Sequence, residues 1–170
     1  MRLSVLFAGL FLISCAAAPA RAKDSAPKYK TIEAKHFTRA EGVELTPEFV
    51  DYFYAELRTE LQKTKLFTQV IGEGEVVDEA DAPESMIVDG SITEYKKGSV
   101  AKDVLIGFTA GWRSLRISAN LSRRDGKNLK TIDAHVRASP RWNEKVLALE
   151  AAKQVAKQIK ASLQLQTANL

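Results

Sequence analysis

One cysteine and two histidines are the residues with which this chain could do chemistry of its own. The cysteine ends an apolar run, in the stretch Leu12-Ile13-Ser14-Cys15. That stretch resembles a bacterial lipobox, in which aliphatic residues and one small residue precede a cysteine. The chemistry explains these types: the thiol takes a diacylglyceryl group as a thioether, and a small Ser14 lets the peptidase reach the bond. The pattern predicts lipidation at Cys15.

The residues before Cys15 read as an export signal. Met1 and Arg2 give a positive start, and residues 3–13 form an apolar run too short for a transmembrane helix of roughly 20 residues. A cut before Cys15 makes residues 1–14 the signal peptide and residues 15–27 a tether. The alternative is a cut after Ala22, because residues 20–22 fit the A-x-A pattern. The leader would then span residues 1–22, leaving a soluble periplasmic protein without cysteine.

The two cuts predict different locations. Several acyl chains on Cys15 suffice for stable membrane anchoring, where one chain would be marginal. Ala16 would follow the lipidated residue, and a non-acidic residue there resembles the outer-membrane sorting pattern of enteric bacteria. We therefore expect the periplasmic side of the outer membrane, with soluble periplasm as the alternative.

The histidines and acids do not form a recognisable catalytic or metal site. His36 and His135 lie on different predicted strands without a third ligand at metal spacing. The acids of residues 72–84 lack the alternation and mid-loop glycine of an EF-hand. The chain has neither a G-x-S-x-G nor an H-E-x-x-H motif. We expect no enzyme, no metal and no cofactor.

The composition is that of one globular domain. The chain has 170 residues and a net charge of +4, which is too mild to indicate nucleic acid as a partner. With one cysteine it has no internal disulfide, so packing alone must hold the fold. Residues 28–170 are expected to form that domain.

Hydrophobic periodicity predicts two helices. Thr46 and Pro47 open the first, which should run to about Lys65. Asn143 caps the second. Each has an apolar stripe at helical spacing. The stripe residues are Phe49, Phe53, Leu57 and Leu61 in the first helix and Ala148, Ala152, Val155, Ile159 and Leu163 in the second.

Alternating or β-branched stretches predict five strands, within or near residues 28–37, 66–71, 85–95, 115–122 and 129–138. Asp125-Gly126 marks a hairpin turn between the last two. The order β-α-β-β-β-β-α predicts an α+β fold, a single layer of mainly antiparallel sheet with two helices packed on it.

The stretch VLIGFTAGW, residues 104–112, has two interpretations. It is a buried strand whose glycines allow close backbone approach, or an exposed apolar surface for a partner or membrane, anchored by Phe108 and Trp112. Arginines follow it in the predicted hairpin, and they either form a solvated face or meet lipid headgroups. The candidate partner-binding residues are Phe108, Trp112, Arg116, Arg123 and Arg124.

Residues 81–138 resemble the bacterial domain of unknown function 4410 family. An Ala-Asp lead precedes a strand that ends Gly90-Ser-Ile-Thr-Glu-Tyr95, then Gly98, then the glycines of residues 107–111 and a D-G-K turn at residues 125–127. The resemblance implies an envelope lipoprotein whose fold resembles the periplasmic domain of the curli secretion lipoprotein. It implies no activity or ligand.

Together these features predict an exported, lipid-anchored bacterial envelope protein that acts as a binding or assembly module. Its expected partners are the membrane, through Cys15, and envelope proteins; its oligomeric state stays open. One alternative is a periplasmic enzyme with a site assembled only by the fold. Another is a soluble periplasmic protein that binds an anionic lipid or glycan.

Overall fold

The computed structural model describes residues 29–101 and 111–168, with side chains of the last helix up to residue 165. Cys15, Phe108, the leader and the tether lie outside the described residues. The elements are β1 (Tyr29–Ala34), β2 (Thr38–Arg39), α1 (Pro47–Lys63), β3 (Phe67–Gly72), a 3-10 turn (Ala82–Glu84), β4 (Met86–Lys96), β5 (Arg113–Arg123), β6 (Asn128–Ala138) and α2 (Glu144–Ala168). Apart from the two-residue β2 and the 3-10 turn, the predicted element order is confirmed.

The strands form one six-stranded sheet in the order β3-β1-β4-β5-β6, with β2 beside β4. Antiparallel ladders join β4 to β5 and β5 to β6, whereas β1 is parallel to both β3 and β4. The two antiparallel ladders are the longest, so the sheet is mainly antiparallel, as predicted. The β5–β6 turn also agrees, because Gly126 has a positive φ of 89° and the Lys127 amide donates to Asp125 Oδ1 at 2.9 Å.

Helix α1 begins as the sequence predicts. The Phe49 amide donates to Thr46 Oγ1 at 3.3 Å, and Pro47 occupies the first turn, where its missing N–H costs nothing. The predicted stripe of this helix is buried, and Val50 extends it. Phe53 packs edge-on against Phe37, with ring centroids 5.1 Å apart, which ties the helix to the loop between β1 and β2.

Helix α2 lies beside α1 on the same face of the sheet. The Val146 amide donates to Asn143 Oδ1 at 2.9 Å, which confirms the predicted cap. The predicted stripe of α2 is buried against β5, β6 and α1. Near the first turns of both helices, Lys145 Nζ lies 5.6 Å from the Tyr52 ring centroid. Eight residues later in each helix, Lys153 interacts electrostatically with Glu60. Both contacts advance in the same direction along the chain, so the two helices run parallel.

Inward side chains of β5 and β6 complete the core beneath the helices. Leu115, Ile117 and Leu121 are buried, as is Ile132 on β6. Within the two described ranges, no helix combines the length and the apolar character needed to cross a membrane.

Candidate functional site

The face of β4, β5 and β6 that points away from the helices is a broad surface formed by three strands of 11 residues each. Successive side chains of a strand point to opposite faces, so the residues between the buried ones on β5 lie on this outer face. We call it the open face. It is defined by Asp89, Ser91, Glu94 and Lys96 of β4, Ser114, Arg116, Ser118 and Asn120 of β5, and Thr131, Asp133, His135 and Arg137 of β6.

Arg116, a predicted partner-binding residue, lies in the middle of the open face. The register pairs it with Glu94 on one side and His135 on the other. Arg116 Nε is 2.8 Å from Glu94 Oε2, and both side chains are more than half exposed. An ion pair this exposed contributes little to stability, so the pair remains available to a partner.

Trp112, a second predicted residue, lies at the end of this face, just before β5 begins. The Arg137 guanidinium carbon is 5.8 Å from its ring centroid, within cation–π range. Arg137 lies opposite Ser114, which in turn lies opposite Lys96, so the last row of the open face carries two cations. We call Lys96, Trp112 and Arg137 the tryptophan end.

Beneath the tryptophan end, two polar side chains are left without partners. The Tyr95 hydroxyl and the Arg113 Nε and Nη1 atoms are buried and make no hydrogen bond. Burial raises the pKa of Tyr95, the Arg113 charge opposes that rise, and Glu144 adds to it. Glycine at position 98 allows the backbone to lie close to Arg113, because a Cβ there would be only 2.7 Å from Arg113 Cγ.

The other two described arginines of the predicted set lie at the far end of the sheet, by the β5–β6 turn. Arg124 Nη2 donates to Glu33 Oε2 and thereby holds the turn against β1, where Glu33 is only 6 % exposed. Arg123 pairs in register with Met86, on the helix side of the sheet, and lies close enough to Tyr29 to act on its pKa. The structure therefore brings Trp112 and Arg116 to one face but places Arg123 and Arg124 elsewhere.

A polar cluster around His36 was missed by the sequence reasoning, which expected only an exposed strand histidine. The His36 amide donates to Glu73 Oε2 at 3.1 Å, and His36 Nδ1 lies 3.0 Å from the same oxygen. The imidazole stacks on Tyr54 at a centroid distance of 3.8 Å, and the Tyr54 hydroxyl accepts a hydrogen bond from the Glu73 amide at 3.1 Å. Two hydrogen bonds from His36 hold the pKa of Glu73 below its usual range. The bond from the His36 backbone amide has the larger effect, and the bond from the imidazole has the smaller one.

Clefts open on the described surface. One of about 690 Å³ lies between the first turns of α1 and α2 and is lined by Phe49, Tyr52 and carboxylates that include Glu48 and Glu144. Two smaller clefts of about 440 and 370 Å³ flank His36. In the described part of the chain, no three His, Cys, Asp or Glu side chains are placed to hold a metal ion.

Comparison with known proteins gives a family and a fold. A family model described as "Domain of unknown function (DUF4410)" matches residues 23–139. No curated protein matches the chain in sequence.

Two solved structures share the architecture at low identity. One is the PelC dodecamer from Paraburkholderia phytofirmans, with a TM-score of 0.54 and 10% identity over 75% of this chain and 85% of that one. The other is a DUF330 protein from Xanthomonas campestris, with a TM-score of 0.53 and 8% identity over 83% of this chain and 91% of that one. At such identity the likeness extends to the fold alone.

Proposed function

Because the chain belongs to the DUF4410 family of domains of unknown function, we propose that it is an exported, lipid-anchored bacterial envelope protein that acts as a non-enzymatic binding and assembly module. The domain is held at the periplasmic side of the outer membrane by lipid on Cys15. Its open face then binds other envelope proteins or further copies of the chain.

The observation that carries this proposal is the open face itself. Three strands of 11 residues each present it, and among the described elements no helix packs on it. Hydroxyl, amide, carboxylate and guanidinium groups alternate across it, with Trp112 at its end. A cleft of about 370 Å³ indents this face at Asp89, Ser91, Ser118 and Asn120. A three-strand surface of this kind suits contact with a protein, because it offers hydrogen-bonding groups over a broad area.

The solved structure of the PelC dodecamer supports assembly as the mode of action. That protein has a similar fold and is a dodecamer, an assembly of twelve chains. A heterologous interface between identical chains, in which one face meets a different face of the next copy, generates such closed assemblies. The open face and the helix face of this domain differ in character, as such an interface requires.

Metabolic labelling with a radioactive fatty acid tests the anchor. We expect label in the wild-type protein and none in Cys15→Ala, because the thiol is the acylated group. Wild-type protein without label, with a mass that matches a cut after Ala22, would mean a soluble periplasmic protein and would overturn the anchor.

Cross-linking in intact cells followed by purification tests the binding role. We expect wild-type protein to carry envelope proteins or further copies, and the combined variant Phe108→Ala, Trp112→Ala, Arg116→Ala to lose them. The matched control is Arg123→Ala with Lys127→Ala, two exposed cations by the β5–β6 turn that lie outside the open face. Loss in the control but not in the open-face variant would move the interface to the hairpin turn.

A further inference from the structure

We propose that the tryptophan end is a second membrane-contact site, which binds the anionic phosphate headgroups of a phospholipid surface independently of any lipid on Cys15. This goes beyond the proposed function, in which the domain is tethered by its lipid and its surfaces bind proteins. It rests on three features of the described chain: the unpaired cations, the indole, and the charge on the neighbouring surfaces.

The first feature is a row of cations without carboxylate partners. Lys96 and Arg137 are exposed and lie two strands apart on the open face, roughly 10 Å from each other at the usual strand spacing. Neither makes an ion pair with a described carboxylate, whereas Arg116 in the next row is already paired with Glu94. Within the described residues, no ion pair therefore neutralises this row, and it can attract an anion.

The second feature is the indole between these cations. Trp112 is half-buried, and the Arg137 guanidinium lies over its ring. Indole rings favour the headgroup level of a bilayer, because one part of the ring is apolar and the N–H is polar. In a headgroup layer, phosphate and acyl carbon lie within a few ångströms of each other. A guanidinium beside an indole can therefore contact the phosphate while the ring contacts the acyl carbon.

The third feature is that both tryptophans of the chain lie at this end of the sheet. Trp142 follows β6 in a turn closed by a hydrogen bond from its own amide to the Ser139 carbonyl, and it is 42% exposed. Val100, two residues after Gly98, is 47% exposed; a Cβ on Gly98 would lie 2.9 Å from Pro140 Cβ. Arg141 beside Trp142 is also exposed and makes no ion pair with a described residue. Exposed indole and aliphatic side chains beside free cations favour a lipid surface over an acidic protein.

The charge on neighbouring surfaces restricts how the domain approaches. Carboxylates of Glu48, Asp51 and Glu144 line the cleft on the helix side of the same end, and Asp89 and Asp133 lie at the middle of the open face. Anionic lipid would be repelled by both. The contact is therefore confined to the corner where the open face meets the strand ends, and the domain meets the membrane edge-on.

Vesicle binding by the purified chain of residues 15–170 carrying Cys15→Ala tests this site without the apolar leader and without acylation. We expect it to sediment with vesicles of phosphatidylcholine containing phosphatidylglycerol and not with phosphatidylcholine alone. Lys96→Gln with Arg137→Gln should weaken the binding roughly thirtyfold, because each cation near an anionic surface contributes substantially. The matched control, Arg123→Gln with Lys127→Gln, removes two cations from the hairpin turn and should change binding less than roughly threefold.

Tryptophan emission identifies the contact directly. In the Cys15→Ala chain with Trp142→Phe, Trp112 is the single tryptophan, and its emission should move to shorter wavelength with anionic vesicles only. Arg137→Lys, which keeps the charge and the fold, should retain the shift. Equal binding of all variants, an unshifted Trp112, or binding to polyglutamate in place of vesicles would each overturn the proposal. None of these outcomes depends on acylation or on protein partners in the cell.

Discussion

Glu73 is the single residue whose ionisation is most clearly linked to the fold. His36 donates to its carboxylate and lowers its pKa in the folded chain, while the unfolded chain keeps a value of roughly 4.3. A depressed pKa means that ionised Glu73 stabilises the fold above the unfolded pKa, and that this contribution is lost as the pH falls through the folded pKa.

The variant Glu73→Gln should therefore be less stable than wild type at pH 7, and the difference should shrink as the pH falls below the unfolded value. Urea unfolding midpoints at pH 7 and pH 3 measure this. Glu79→Gln, an exposed loop carboxylate without an ion pair to a described residue, is the control and should follow wild type at both pH values. A gap between Glu73→Gln and wild type that persists at pH 3 would contradict the linkage.

Gly90 is the residue that the sheet can least replace. A Cβ on it would lie 2.2 Å from the Ser118 carbonyl oxygen and 2.7 Å from Phe37 Cε1. Both neighbours are fixed, one by the β4–β5 ladder and the other by the ring contact with Phe53.

We expect Gly90→Ala to lower the free energy of unfolding by about 2 kcal/mol or more, because an inserted carbon in a packed site forces backbone shifts. Ser91→Ala, on the opposite face of the same strand, should stay within about 0.5 kcal/mol of wild type. Urea denaturation of both variants compares them, and similar losses would mean that the strand, rather than the close approach, is sensitive.

At the residue scale, local patterns predicted caps, turns and buried stripes well. Thr46, Asn143 and Gly126 all behave as their sequence context indicates, because each of these features depends on residues within four positions. The His36–Glu73 contact joins residues 37 positions apart. No short motif encodes it, so a single sequence could not reveal it.

At the scale of elements, the exposed side chain of Asn143 caps the first turn of α2, whose apolar stripe is buried in the core. Asn143 Oδ1 accepts from the Val146 amide, one of the first N–H groups that the helix leaves without a carbonyl partner. The first turn of α2 also lines the 690 Å³ cleft, so its order affects that surface.

Asn143→Ala should cost about 1 kcal/mol in the free energy of unfolding, and Asn143→Ser should recover most of it, because a serine oxygen accepts the same bond. Thermal unfolding of the three proteins provides the measurement. If serine is no better than alanine, the cap is not the source of the loss.

The pairing of strands shows the limit of local prediction at this scale. Each of the five predicted strands was located within a few residues, whereas the two-residue β2 was not predicted. The β5–β6 hairpin followed from its Asp-Gly turn. The parallel pairing of β1 with both β3 and β4 did not follow, because α1 or several loops separate these partners in sequence. Nonlocal pairing also determines which side chains share the open face. Trp112 and Arg116 were therefore predicted as candidates from the sequence, but their position on one face was not predicted.

At the scale of the whole molecule, the described chain begins at the end of the sheet opposite to the tryptophan end. The chain enters β1 at Tyr29, and β4 runs parallel to β1 and ends at Lys96. Because Ile32 pairs with Met86, Tyr29 lies three residues beyond the start of β4, and its level along the strands is roughly 43 Å from that of Lys96. The chain from Cys15 to Tyr29 reaches at most roughly 45 Å, so covalent geometry allows both proposed attachments, the lipid on Cys15 and the tryptophan end, on one membrane.

The two attachments differ in their response to salt, which gives a prediction for the whole protein. Acyl chains hold by apolar burial, whereas contacts of Lys96 and Arg137 with headgroups are screened at high ionic strength. Wild-type protein in membrane fractions should therefore remain bound in 1 M sodium chloride. Cys15→Ala that has lost its leader by the cut after Ala22, as its mass shows, should remain bound at low salt and be released at high salt. Cys15→Ala with Lys96→Gln and Arg137→Gln should be found in the soluble fraction at both.

Immunoblots of washed membrane and soluble fractions measure the distribution, with Arg123→Gln and Lys127→Gln added to Cys15→Ala as the charge-matched control. Release of the wild-type protein by salt would contradict the proposed acyl anchor but would be consistent with the headgroup contact. Recovery of Cys15→Ala entirely in the soluble fraction at low salt would contradict the proposed headgroup contact but would be consistent with the acyl anchor. Because each attachment fails by a different route, one fractionation experiment separates the lipid that holds the domain from the surface that orients it.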